Sequence, residues 1–172
     1  MASLVEELID TLTKEEKEYV TLLGLSSKKT SVIVAGEVDE LQKITDEEQV
    51  VMDGLIALDS KRADTMKDIA EVMNRDVKTL KLSHLIDMLE KRPSERDALA
   101  LLYDRLKATV GELKMVNDQN RELIKQSLDI VDFKLNLIKA QRSAPETGNY
   151  TRNADVVGAS LGGPSGGFDA KQ

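Results

Sequence analysis

The sequence predicts an all-α protein: an elongated antiparallel bundle of three long helices, at about residues 2–35, 37–74 and 94–141, with a short connector helix and a flexible C-terminal tail. Three observations carry this expectation. Apolar residues recur at spacings of three, four and seven from Leu4 to Ile138, the period of a helix with one buried face. Only two Phe, three Tyr and no Trp are present, so the core must be built from interlocking Leu, Ile, Val and Met. Charged residues make up 32% of the 172, a proportion typical of long helices that are wet over most of their circumference.

The first helix is sketched by Leu4, Leu8, Leu12, Tyr19, Leu22 and Leu23 and continues through Val32, Ile33 and Val34, although Gly24 and the run from Ser26 to Thr30 weaken its propensity. Gly36 marks the reversal. The second helix carries Leu41, Ile44, Val51, Leu55, Leu58, Thr65 and Ile69 on one seam, with Glu48 and Arg62 as polar interruptions in the same register. Asn74, tolerant of left-handed backbone, is its stop. Leu80, Leu82, Leu85, Ile86 and Leu89 then sketch a connector helix, capped by Thr79 or Ser83, that covers one end of the bundle. The third long helix opens after Pro93 with Ser94 as N-cap and Asp97 three positions on. Its seam runs Leu99, Leu102, Leu106, Val110, Leu113, Val116, Asn120, Leu123, Ser127, Ile130, Lys134 and Leu137.

The domain reading is a helical unit at 1–142 and a tail at 143–172, which holds six of the ten Gly and two of the three Pro. Such a composition buries too little apolar surface to offset the entropy of ordering. The excess of 31 acidic over 24 basic residues argues against nucleic acid or an anionic membrane surface as the main partner. With no Cys there is no disulfide, thiolate metal site or cysteine nucleophile. The N-terminal residues lack the basic and apolar regions of a signal peptide, and no apolar run reaches bilayer length, so a cytoplasmic location is expected. His84, alone in the connector, reads as a surface or cap residue. No cofactor, metal or catalytic residue is expected, because no phosphate loop or paired carboxylate in an apolar cleft is evident.

At 1.5 Å per residue the third long helix extends roughly 70 Å against roughly 57 Å for the second. An antiparallel pairing sets residue 38 near 131, leaving Phe133, Leu135, Leu137 and Ile138 beyond the partner helices. Between Leu123 and Ile138 the large apolar residues spread over an arc of roughly 220° at 100° per residue. Two seams produce this width. Ile124, Leu128, Val131, Leu135 and Ile138 run beside the first seam, so one side suits the bundle and the other a guest. A helix buried between neighbours of its own chain, or a homodimer seam, is the plainer reading of such an arc.

The string Asn117-Asp118-Gln119-Asn120-Arg121-Glu122-Leu123-Ile124-Lys125-Gln126-Ser127-Leu128-Asp129-Ile130-Val131 resembles the signature of the FlgN family of flagellar type III export chaperones. The resemblance extends to Leu41–Ala63, with Glu47-Glu48-Gln49, Leu55, Leu58 and Arg62, and to a Tyr after the helix, here Tyr150. The Gly-rich extension to Gln172 departs from the family, whose sequences are often short after the Tyr. What the resemblance implies is a cytosolic chaperone of hook-associated proteins that holds their C-terminal helical segments until delivery to the export gate.

The expected client contacts are Leu123, Ile124, Leu128, Val131, Leu135 and Ile138, with Phe133 and Leu137 as secondary contacts. By resemblance, Tyr150 docks on the export gate. Glu48, Arg62 and Asn120 are expected as polar layers that set helix alignment, with Glu48 near Arg121 and Arg62 near Asp10. The alternative function is a self-associating coiled-coil scaffold with no client.

Overall fold

A computed structural model of the chain describes residues 2–143, with side-chain environments from Leu4 onward. The fold is all-α over these residues, in four helices: α1 (Ala2–Ala35), α2 (Val38–Val72), α3 (Leu82–Met88) and α4 (Pro93–Ser143). The tail expected at 143–172 lies, beyond Ser143, outside the described residues. By compactness the chain forms a first unit, Met1–Ile130, and a second, Val131–Gln172.

Two reversals use the same device. Gly36 has φ 71°, its N–H donates to the carbonyl of Ile33, and the next N–H, of Glu37, reaches back to Val32. Asn74, at φ 51°, does the same at the end of α2, where its own N–H donates to Glu71 and that of Arg75 to Ala70. In each, one left-handed residue satisfies two of the carbonyls that a helix end leaves open.

The starts of α3 and α4 differ from expectation. Lys81, not Thr79 or Ser83, occupies the N-cap of α3, with no side-chain cap bond. Thr79 donates its hydroxyl to the carbonyl of Asp76 instead, and Ser83 lies within the helix. In α4, Pro93 is itself the first helical residue, and the carbonyl of Arg92 accepts from the N–H of Arg96. Proline suits that position, where its missing N–H has no intrahelical partner to lose.

Within the first unit, helix pairing can be read from polar contacts. Glu7 and Glu15 of α1 meet Lys61 and Arg62 of α2, whereas Ser26 and Lys28 meet Glu48 and Glu40, so α1 and α2 run antiparallel. Glu16 meets Arg105, and Thr30 meets Asn120, so contacts between α1 and α4 climb together at an offset of about 90 positions. The main core joins Val5, Leu8 and Leu12 of α1 to Ile69 of α2, Leu85 of α3 and Leu99, Leu102 and Leu106 of α4. Leu89, just past α3, joins them, so the connector closes this end of the core. Each such Leu or Ile contributes about 1.5–3 kcal/mol of burial. A smaller cluster of Leu22, Leu55 and Leu113 follows.

Candidate functional site: the end of α4 and the polar layer beneath it

Along α2 the nine seam positions are all buried or half-buried, from Leu41 to Ile69. Along α4 the buried positions are Leu99, Leu102, Leu106, Leu113 and Asn120, and then they stop. Leu123 is half-buried, and every residue from Ile124 to Ser143 is exposed.

The stop has a local cause in the first unit. With the α1–α4 offset near 90, Ala35 at the end of α1 reaches only about residue 125 of α4. Cover is therefore lost some six residues earlier than counting from α2 alone indicates. The expectation that one side of the double seam packs on the bundle is corrected accordingly: Ser127 and Ile130, assigned to that side, are exposed.

In the first unit, Ile124 and Leu128 are exposed, and so is Ile130. In the second, Val131, Phe133, Leu135, Leu137 and Ile138 are exposed, with Phe133 at 67%. A helix with this many large apolar side chains in water is costly at about 25 cal/mol for each Å² of apolar surface that a partner would remove. Tyr150 falls outside the described residues.

Where the core gives way, a hydrogen-bonded polar layer crosses three helices. Asn120, 4% exposed, donates its Nδ2 to the carbonyl of Ser26 at 2.8 Å and accepts the Thr30 hydroxyl at 2.6 Å. Ser26 donates its hydroxyl to Glu48 at 2.9 Å, and the other Glu48 oxygen is held by the Lys29 ammonium. Every buried polar group here has a partner, which is the condition for such a layer to be tolerated inside a bundle. Arg121 and Glu48 share the wall of one cleft, but the ion pair of Arg121 is with Asp118, 3.8 Å away on its own helix.

Arg62 does not meet Asp10. It pairs with Asp59 and lies 3.4 Å from Glu15. Asp10 points from the outer face of α1 and binds Lys14, whereas Glu15 lies on the inward face with Leu8 and Leu12. Glu15 is 2% exposed, and its Oε1 has no hydrogen-bond partner. Burial pushes its carboxyl above the ordinary glutamate range, opposed by the charge of Arg62 and reinforced by Asp59.

Two features escaped sequence reasoning. The first is a cleft of about 460 Å³ in the first unit, lined by Leu22, Lys29, Glu48, Met52, Asn120 and Ile124 among others. Its signal was present in the sequence, since Ser26, Glu48 and Asn120 are all polar at seam positions and underfill one level of the bundle. The second is Glu15, whose burial follows from its spacing of seven from Leu8 and of three from Leu12. Among the described residues no cluster of His, Cys, Asp and Glu suits a metal, and no helix is long and apolar enough to cross a membrane.

The described residues form an all-helical protein with large apolar side chains exposed along the end of α4. The sequence matches the family model described as FlgN protein over residues 1–157, and the chain belongs to the FlgN family, a family of flagellar chaperones. It is also similar to the Uncharacterized protein YvyG of Bacillus subtilis (strain 168), 24% identical over 135 residues that span 78% of each chain. No solved structure matches it.

Proposed function

We propose that this protein is a cytosolic, non-enzymatic flagellar export chaperone that binds C-terminal helical segments of hook-associated proteins, prevents their premature assembly and delivers them to the type III export gate. The observation that supports this reading is the unbroken exposure of α4 from Ile124 to Ser143, with Leu128, Val131, Phe133, Leu135, Leu137 and Ile138 among the exposed residues. A disordered amphipathic segment lays its apolar face on such a helix and folds there, and the entropy of its ordering keeps affinity moderate enough for release. Leu123 and Ile124 begin the client contact, and Tyr150 is the proposed address for the export gate. The accompanying architecture of the first unit is an antiparallel coiled-coil-like bundle, with Glu48, Arg62 and Asn120 fixing alignment.

The test is co-purification of a hook-associated C-terminal segment with wild-type chain and with Leu128→Asp and Leu135→Asp. Loss of the segment in folded variants supports the reading, and full retention contradicts it. For the gate, binding unchanged in Tyr150→Ala removes Tyr150 from the account. A self-associating scaffold is the second reading, favoured by the same uncovered apolar surface. A stable homodimer through that surface, indifferent to the hook-associated segment, would establish the scaffold instead.

A further inference from the structure

Two properties of the exposed end of α4 say what kind of chain fits it. The first is width. Where α4 packs in the bundle, its fully buried residues Leu99, Leu102, Leu106, Leu113 and Asn120 fall within an arc of about 60° at 100° per residue. From Leu123 to Ile138 the large apolar residues span about 220°, bounded by Phe133 on one side and Leu128 on the other. A helix that packs on one side typically carries an apolar stripe of about 100°, so an arc twice as wide offers room for two partners.

The second property is charge. No Asp or Glu lies inside that arc, since Glu122, Asp129 and Asp132 all project from the opposite side. Two cations do lie inside it, Lys134 and Arg142. Lys134 is the more telling, because its helix neighbours three and four positions away are Ile130, Val131, Leu137 and Ile138. Among the described residues it makes no ion pair, so a partner covering this face must neutralise it or leave a buried charge alone. Two copies of the chain meeting through this face would bring Lys134 and Arg142 of each into it with no carboxylate in the arc to pair with them.

Building on the chaperone reading above, we infer that the occupant is a different chain, which lays two amphipathic helical stretches along α4 and carries a carboxylate within its apolar face opposite Lys134. The two stretches fill the two seams, Ile124–Leu128–Val131–Leu135–Ile138 and Leu123–Ile130–Leu137 with Phe133. The carboxylate, buried with Lys134 on complex formation, selects register and rejects self-association.

The experiment uses the full chain and three synthetic probes in calorimetric titrations. Two are helical hairpins identical except at one core position, Glu in one and Lys in the other, and the third is a single helix from the Glu hairpin. The Glu hairpin should bind at least about tenfold tighter than either of the others, and Lys134→Glu should reverse the order of the two hairpins. Lys134 is exposed, so the variant should melt like the wild type. The inference is overturned if Lys134→Glu leaves the order unchanged, if the single helix binds as well as the hairpin, or if no probe binds. Light scattering that shows a dimer dispersed by Leu135→Asp also overturns it. If a hook-associated segment is lost in Leu135→Asp but indifferent to Lys134→Glu, the chaperone reading stands and this inference alone falls.

Discussion

The side-chain amide of Asn120 donates to the backbone carbonyl of Ser26 at 2.8 Å, across the interface of α4 and α1. That carbonyl lies in the turn of α1 where Thr30 also sends its hydroxyl to Asn120, so one side chain is both donor and acceptor to one helix. Asn120 is also the last buried residue of α4. It fixes the level of α4 against α1, and beyond it α4 has no buried residue although Val32, Ile33 and Ile44 stay buried farther along α1 and α2.

Asn120→Asp keeps the shape and removes the donor. A carboxylate oxygen would then face the Ser26 carbonyl, with Glu48 close by in the same layer. The expected loss is about 1–3 kcal/mol of unfolding free energy in urea at neutral pH. Asn120→Leu, which removes the demand for partners, should cost less than Asn120→Asp. The opposite order would contradict a hydrogen-bonded role for the layer.

Glu15 makes stability depend on pH in an unusual sense for a carboxylate. Its folded-state pKa is raised by burial, so the folded chain holds this proton more tightly than the unfolded chain does. Stability from this site is greatest below the ordinary glutamate value, falls as pH rises through the raised one, and is lowest at neutral pH. Glu15→Gln should therefore be more stable than wild type at pH 7, with the gap closing as pH drops towards the ordinary glutamate range. Asp10 and Glu40, lowered by their bonds to Lys14 and Lys28, act in the opposite direction and are common to both proteins. Paired thermal melts across that range measure the difference. A gap that widens on acidification would contradict the assignment.

Two glycines should respond oppositely to alanine. Gly36 has φ 71°, where a Cβ is strained even though no neighbour crowds it, so Gly36→Ala should lose about 1–2 kcal/mol. Gly111 lies inside α4 with ordinary helical backbone and open space around a built Cβ, so Gly111→Ala should gain about 0.5–1 kcal/mol. Denaturation midpoints of the two variants check both signs at once.

Much of this was legible in the sequence. The α2 seam from Leu41 to Ile69 was readable because a single-sided apolar stripe has one physical explanation, and Gly36 and Asn74 were readable because few residues adopt positive φ. The starts of α3 and α4 were not, since Ser and Thr compete for several local hydrogen bonds and Thr79 took one within the preceding turn. The partner of Arg62 was misjudged because linear counting ignores which face a residue occupies, and Asp10 faces outward while Glu15 faces in. The double seam on α4 was visible as a pattern. Which side the bundle covers depends on where α1 ends against α4, and that offset is set by Asn120 meeting Ser26 and Thr30 rather than by any local signal.

The central claim is that the uncovered apolar surface of α4 exists to hold another polypeptide rather than to support the fold. Leu135 is the most direct probe, being 48% exposed and far from the core residues of the first unit in sequence. The measurement is calorimetric titration of a hook-associated C-terminal segment into wild type and Leu135→Asp, beside thermal melts of both. The account predicts unfolding free energies within about 0.5 kcal/mol of each other and at least about tenfold weaker binding by the variant. Equal affinities, or a variant that unfolds before it can bind, would contradict it.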